Sequence, residues 1–133
     1  MLFLQKIYPL ETSKFSISLE SLIPDWAKEL PVAVTVCDKE AIILYMNDKS
    51  TTTFMNSGGG DLVGKSLYDC HTPSSNEIIK ELLLTGRSNI YTIEKNGTRK
   101  MICQIPWFQL GIIAGLVELS IVIPTEMPHF IRQ

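Results

Sequence analysis

PVAVTVCDKEAIILYMN, residues 31–47, reads as two antiparallel strands joined by a tight polar turn. Val32, Val34 and Val36 alternate with smaller residues, Asp38-Lys39-Glu40 is the charged cluster of the stretch, and a β-rich apolar run resumes from Ile42 to Tyr45. The run stops at Asn47-Asp48, where the Asn47 side chain is placed to accept a hydrogen bond from the first free N–H groups of a following short helix. A hairpin leading straight into a capped helix is a way to begin a small α+β domain.

The rest of the chain extends this start in both directions. Residues 1–19 are weakly patterned and read as an N-terminal arm. Leu19, Leu22, Ile23, Trp26 and Leu30 then recur at helical spacing. Pro24 belongs in a first turn, so a short amphipathic helix is expected from near Ile23 to Leu30, stopped by Pro31. After the hairpin, DKSTTTFM is a poor helix former that depends on the Asn47 cap and on Phe54 packing inward. Asn56 to Gly60 reads as a flexible loop, and Asp61 to His71 as two short helical turns with Leu62, Val63, Leu67 and Tyr68 pointing inward. Ser74 to Glu77 has capping-box spacing. It opens a helix with Ile78, Ile79, Leu82 and Leu83 on its apolar face and Gly86 at its end.

Beyond Gly86 the period switches to two. Ser88 to Lys95 and Thr98 to Ile105 are strands around Asn96-Gly97, a strong hairpin signal. Pro106 to Gly111 reads as a longer loop, and Ile112 to Ile123 as the last strand. Val117, Leu119, Ile121 and Ile123 share one of its faces; Leu116, Glu118, Ser120 and Val122 share the other. The fold class is α+β, a five-stranded antiparallel sheet with short helices across one face. The domain spans residues 20–124, and 125–133 form a C-terminal tail.

Composition bounds the function. A chain of 133 residues suits one domain and can bury roughly two thirds of its unfolded surface. The net charge of −2 is made of scattered charges, and the longest basic cluster is Arg99-Lys100, too little for a nucleic-acid surface. No apolar run approaches the roughly 20 residues of a membrane-spanning helix. MLFLQKIYPLE has no basic leader or small-residue cleavage site, so a cytoplasmic location is expected. Three cysteines, Cys37, Cys70 and Cys103, without a Cys-x-x-Cys spacing, suit reduced thiols.

This order of elements resembles the PAS domain family over about residues 20–124. LPVAVTVCD and IILYMN resemble its first two strands, with Asn47 in the family's hydrophobic-x-Asn position. DLVGKSLYDCHTP resembles its Leu-x-Gly-Lys-x-Leu…His-Pro segment, with Thr72 inserted between His71 and Pro73. GIIAGLVELSIVIP is similar to the closing strand, although IPTE stands where many members show Asp-Ile-Thr. The resemblance implies a sensor or interaction module whose curved sheet and short helices enclose a small pocket, coupled to dimerisation. It places the segments of Asn47, Tyr68, Tyr91, Met101, Cys103 and Trp107 around that pocket, with ordinary core packing as their plainer role.

Several motifs compete with this reading. Gly59 to Ser66, GGDLVGKS, matches a phosphate-binding loop letter for letter. That chemistry needs a buried strand before it and a long helix after it. The polar STTTFMNS and the nearby Pro73 supply neither. His71 sits where haem-binding relatives of the family begin to place an axial ligand; its plainer role is the common His-Pro position, capping or packing locally. A flavin photosensor would need a reactive cysteine in an Asn-Cys-Arg-type motif, which this sequence lacks. The cofactor is therefore left unknown. Cys70, His71 and Cys103 are weakly spaced for zinc. Glu118 falls on an otherwise apolar strand, where alternation favours a solvent-facing side chain.

The expected function is that of a sensory or regulatory module, not an enzyme, binding a small molecule and signalling through an interface, to itself or to a signalling partner in trans. The alternative is a ligand-free interaction or dimerisation module. A haem-binding sensor comes third. An uncovered face of Val117, Leu119 and Ile121, beside the helix carrying Leu22 and Trp26, is the expected interface of a homodimer.

Overall fold

Asp38 closes the first hairpin in the computed structural model, which describes residues 25–133. Its Oδ1 accepts hydrogen bonds from the Glu40 and Ile42 amides, both at 2.9 Å. Ala41 takes up the left-handed conformation that the turn demands, with φ +64°. Strands β1 (Ala33–Asp38) and β2 (Ile43–Met46) pair antiparallel on either side, as the alternating valines imply.

The chain leaves β2 through Asn47, which is buried and fully partnered. Its Oδ1 accepts from the amides of Val34 and Ser50, each at 2.9 Å. Its Nδ2 donates to the carbonyls of Ala27 at 2.9 Å and Val32 at 2.7 Å. One amide side chain thus caps helix α1 (Asp48–Thr53), supports β1 and ties down the segment that enters the sheet. That entering segment differs from expectation. Residues 25–30 form hydrogen-bonded turns, Lys28 N–H to Asp25 and Leu30 N–H to Ala27, and Trp26 is 77% exposed. The backbone carbonyls that Asn47 captures bend the chain away from a helix, so Trp26 docks on no sheet face. Leu22 and the helix start near Ile23 lie outside the described residues, as does the 1–19 arm.

Helix α2 (Pro73–Thr85) is the longest helix described. It starts at Thr72, whose hydroxyl accepts from the Ser75 amide at 3.3 Å, rather than at the expected Ser74 box. Pro73 is the reason: its fixed φ and missing N–H suit the first helical position. Gly86 ends the helix in the left-handed conformation, φ +75°. Ile79 and Leu82 pack on the sheet with Cys37, Ala41 and Leu116, while Ile78 turns out to solvent.

Between α1 and α2 run three 3-10 turns, Met55–Ser57, Gly59–Leu62 and Leu67–Asp69. The glycines expected to be a loose loop are therefore ordered, and Gly59 is buried. Leu62 points inward, but Val63 does not. Gly64 N–H bonds the Ile43 carbonyl and Ile43 N–H bonds Lys65, so this stretch runs along the free edge of β2. The phosphate-loop pattern accordingly forms neither a nest at the end of a strand nor the start of a helix.

Strands β3 (Asn89–Lys95), β4 (Thr98–Gln109) and β5 (Ile112–Ile123) complete an antiparallel sheet in the order β2-β1-β5-β4-β3. Asn96-Gly97 makes the expected tight turn. The expected loop at Pro106 is instead strand: Pro106 pairs with Leu116, and the chain reverses only at Leu110-Gly111. β3 ends opposite Gln104, so beyond that point β4 has a free edge, the setting in which a strand tolerates proline. The helices lie on the side of Ala33, Thr35, Cys37, Leu116 and Glu118.

Asn47→Ala strands two amides and two carbonyls in a buried site, so its expected cost is about 3 kcal/mol. Urea unfolding measures it; an unchanged midpoint would contradict the role given to Asn47.

Candidate functional site

A cavity of about 120 Å³ lies between the sheet and the helices. Its floor is Thr35 and Cys37 of β1, Leu116 and Glu118 of β5 and Gln104 of β4. Phe54 after α1, Leu62 and Leu67 from the 3-10 turns, His71 and Ile79 close it from above. Most of the wall is apolar. The polar groups of its floor, Thr35, Gln104 and Glu118, lie on one line.

That line follows from strand register. Asn89 pairs with Gln104, Gln104 with Glu118, and Glu118 with Thr35, so four strands present polar side chains abreast on the helix side. Asn89 Nδ2 donates to Gln104 Oε1 at 2.9 Å, and Gln104 Nε2 donates to Glu118 Oε2 at 3.0 Å. Thr35 and Ser50 share a hydrogen bond between their hydroxyls. Glu118 thus reverses the solvent-facing expectation. Alternation says which residues share a face; it does not say which face the helices cover.

The surrounding groups feel this site. Burial pushes the Cys37 thiol up, and the charges of Asp38 and Glu118 add to the effect against a lowering backbone hydrogen bond at Leu116. The Tyr91 hydroxyl is raised by burial and then by Glu118. His71 holds the Leu67 carbonyl through Nδ1 at 2.8 Å, which places the ring proton on Nδ1 and leaves Nε2 as a lone-pair acceptor in the neutral ring.

Of the residues proposed from sequence, His71 lines the cavity. Asn47 spends its amide on backbone groups. Tyr68 packs against the Ile79-Leu82 cluster beside the cavity, its hydroxyl raised by burial and opposed by Lys80. Tyr91 shares the helix side of the sheet on edge strand β3. Met101, Cys103 and Trp107, an odd number of residues from Gln104 along β4, belong to the opposite face. Trp107 crosses over Gly115 and donates from Nε1 to the Cys37 carbonyl at 3.0 Å. Val117, Leu119 and Ile121 share that outer face and are partly exposed. Among the lining residues missed from sequence, Thr35, Gln104 and Glu118 required the strand register to be found, and Phe54 required the placement of α1 over the sheet.

Cofactor fit is decided by size. A cavity of 150 Å³ holds benzene, so one of about 120 Å³ takes a ligand on that scale. Neither a porphyrin nor a flavin ring fits. Among the described residues no three His, Cys, Asp or Glu side chains gather to hold a metal, and Cys103 lies across the sheet from Cys70 and His71. No helix among them is long and apolar enough to cross a membrane.

Comparison with solved structures finds the same arrangement elsewhere. The PAS domain of BvgS from Bordetella pertussis superposes with a TM-score of 0.56 at 24% identity, over 80% of this chain and 86% of that one. The fold is that of a PAS domain. The Aer2 receptor of Vibrio cholerae, described as a dual PAS-haem oxygen sensor, matches with a TM-score of 0.53 at 18% identity, over 70% of this chain and 95% of that one. VqmA bound to DPO matches with a TM-score of 0.59 at 16% identity, over 81% of this chain and 58% of that one. VqmA of Vibrio cholerae is described as a dimer and a LuxR-type receptor. No family model and no curated protein matches the sequence. The likeness to these structures is one of fold.

Two measurements test this geometry. A Cβ on Gly115 would overlap the Cys37 carbonyl and lie 2.6 Å from Trp107 Nε1, so Gly115→Ala is expected to cost about 3 kcal/mol. A thermal melt within a degree of wild type would refute the close packing. Cys70 is exposed while Cys37 and Cys103 are buried. Brief maleimide treatment of the native protein should therefore add one label, located at Cys70 by peptide mass spectrometry.

Proposed function

We propose that this chain is a cytoplasmic, non-enzymatic sensory module that holds a small molecule in its internal cavity and signals by changing a protein interface. The observation that carries the reading is the cavity itself: an apolar enclosure of about 120 Å³ into which Glu118 and Gln104 converge from neighbouring strands. Similarity in fold to a receptor described as an oxygen sensor and to VqmA bound to DPO supports it. The size of the cavity favours an organic ligand of a few atoms over haem.

A route from ligand to interface is built into β5. Glu118 touches the cavity, while its neighbours Val117 and Leu119 belong to the outer face. Movement of that strand on ligand binding shifts residues on the opposite side within a single peptide unit. Partly exposed Val117, Leu119 and Ile121, with exposed Ile90 and Ile105 beside them, suit a homodimer or a signalling partner. This apolar face also favours the second reading, a dimerisation module whose cavity holds only water.

Filling the cavity separates the two. Leu67→Phe occupies the space without changing the outer face. Fragments of up to about six heavy atoms, at ten times their Kd, should raise the wild-type melting temperature by about 4 °C and leave Leu67→Phe unchanged. A screen in which no fragment distinguishes the two proteins would favour the ligand-free module.

A further inference from the structure

The charged hydrogen-bonding capacity left open in the cavity is of one kind, a carboxylate oxygen. Gln104 is committed at both ends: its carbonyl oxygen accepts from Asn89 and its amide donates to Glu118 Oε2. The Thr35 and Ser50 hydroxyls are turned to each other. His71 Nδ1 is bound to the Leu67 carbonyl. Among the described residues, Glu118 Oε1 accepts no hydrogen bond and Glu118 makes no ion pair. The strongest groups that remain for a ligand are therefore acceptors, a carboxylate oxygen and the His71 Nε2 lone pair. The amide donors of Gln104 and the Nδ1–H of His71 are spent on the protein's own groups, and the neutral Ser57 hydroxyl at the rim can donate or accept.

Glu118 is half-buried, has no ion pair and keeps one oxygen free beside a largely apolar cavity, a setting that suits a cation or a strong donor. The wall contributes no lysine or arginine. It does contribute the Phe54 ring, a surface that attracts cations. The Asn89-Gln104 relay holds the carboxylate in one orientation across three strands, so its position is set before any ligand arrives.

We propose that the cavity selects a small organic cation, a protonated amine on an apolar body no larger than about benzene, with Glu118 as its counter-ion. The inference rests on the cavity being a ligand site, as argued above. The ammonium hydrogens meet Glu118 Oε1 and His71 Nε2, and the hydrocarbon lies against Leu62, Leu67 and Ile79. Gln104 is a positioning residue that acts through Glu118.

The test uses three probes of one shape and different charge, n-butylammonium, 1-butanol and butyrate, titrated into the whole chain at constant ionic strength and followed by amide NMR. Wild type should bind butylammonium at least about tenfold more tightly than butanol and should not bind butyrate; the Gln104 side-chain amide should shift. Glu118→Gln should bring the amine and alcohol within about threefold while butanol binding persists. Equal wild-type binding of amine and alcohol would overturn the cation selectivity yet leave the ligand site standing. Binding of none of the three would overturn both. The wild-type comparison is decisive even if the variant fails to fold.

Discussion

The five hydrogen bonds of the Asn47 side chain join the entry segment, β1 and α1 at one point. A buried amide is expensive unless all its capacity is used, and here both the acceptor and the donors are matched to backbone groups. Only a side chain with an acceptor and two donors on one short stem can do this. Through it the entry segment, β1 and α1 hold one another in place, and α1 then sets Phe54 over the sheet. The solvent-exposed Lys28-Asp48 pair alongside adds little, because water screens it.

A second constraint runs perpendicular to the first. β5 is the central strand, paired to β1 on one side and β4 on the other, and its polar residue Glu118 sits at the middle of the helix-covered side. A protein selected for stability alone would place an aliphatic residue there. Instead the carboxylate is kept beside a cavity and steered by an amide relay, a departure from simple core packing that fits a binding role. Because successive residues of a strand face opposite ways, the same strand carries both the cavity's charge and the outer apolar face. The cavity and the outer apolar face are thus one residue apart.

Local signals were legible where the physics is local. The Asn47 cap, the Asp38 turn, the Asn96-Gly97 hairpin, the Gly86 helix end and all of β5 follow from propensities of a few adjacent residues, and so does the α+β order that resembles a PAS domain. Errors cluster where a distant partner decides. Pro106 breaks an isolated strand, but β3 has already ended beside it. Trp26 sits in a helical pattern that the carbonyl-seeking Asn47 amide overrides. Gly58 to Gly60 look flexible until 3-10 turns and the packing of Gly59 order them.

The candidate site divides along the same line. Sequence alone determined the alternation that puts Glu118 with Leu116 and Ser120, the presence of His71 near a helix start, and the strand pairs that make a sheet, because side-chain period and turn chemistry are properties of short stretches. Only the tertiary structure decided which side of the sheet the helices cover. That choice moved Glu118 and Gln104 into the cavity and left Met101, Cys103 and Trp107 outside it. A two-residue period has two equivalent faces, and nothing within one strand distinguishes them until α2 packs on one.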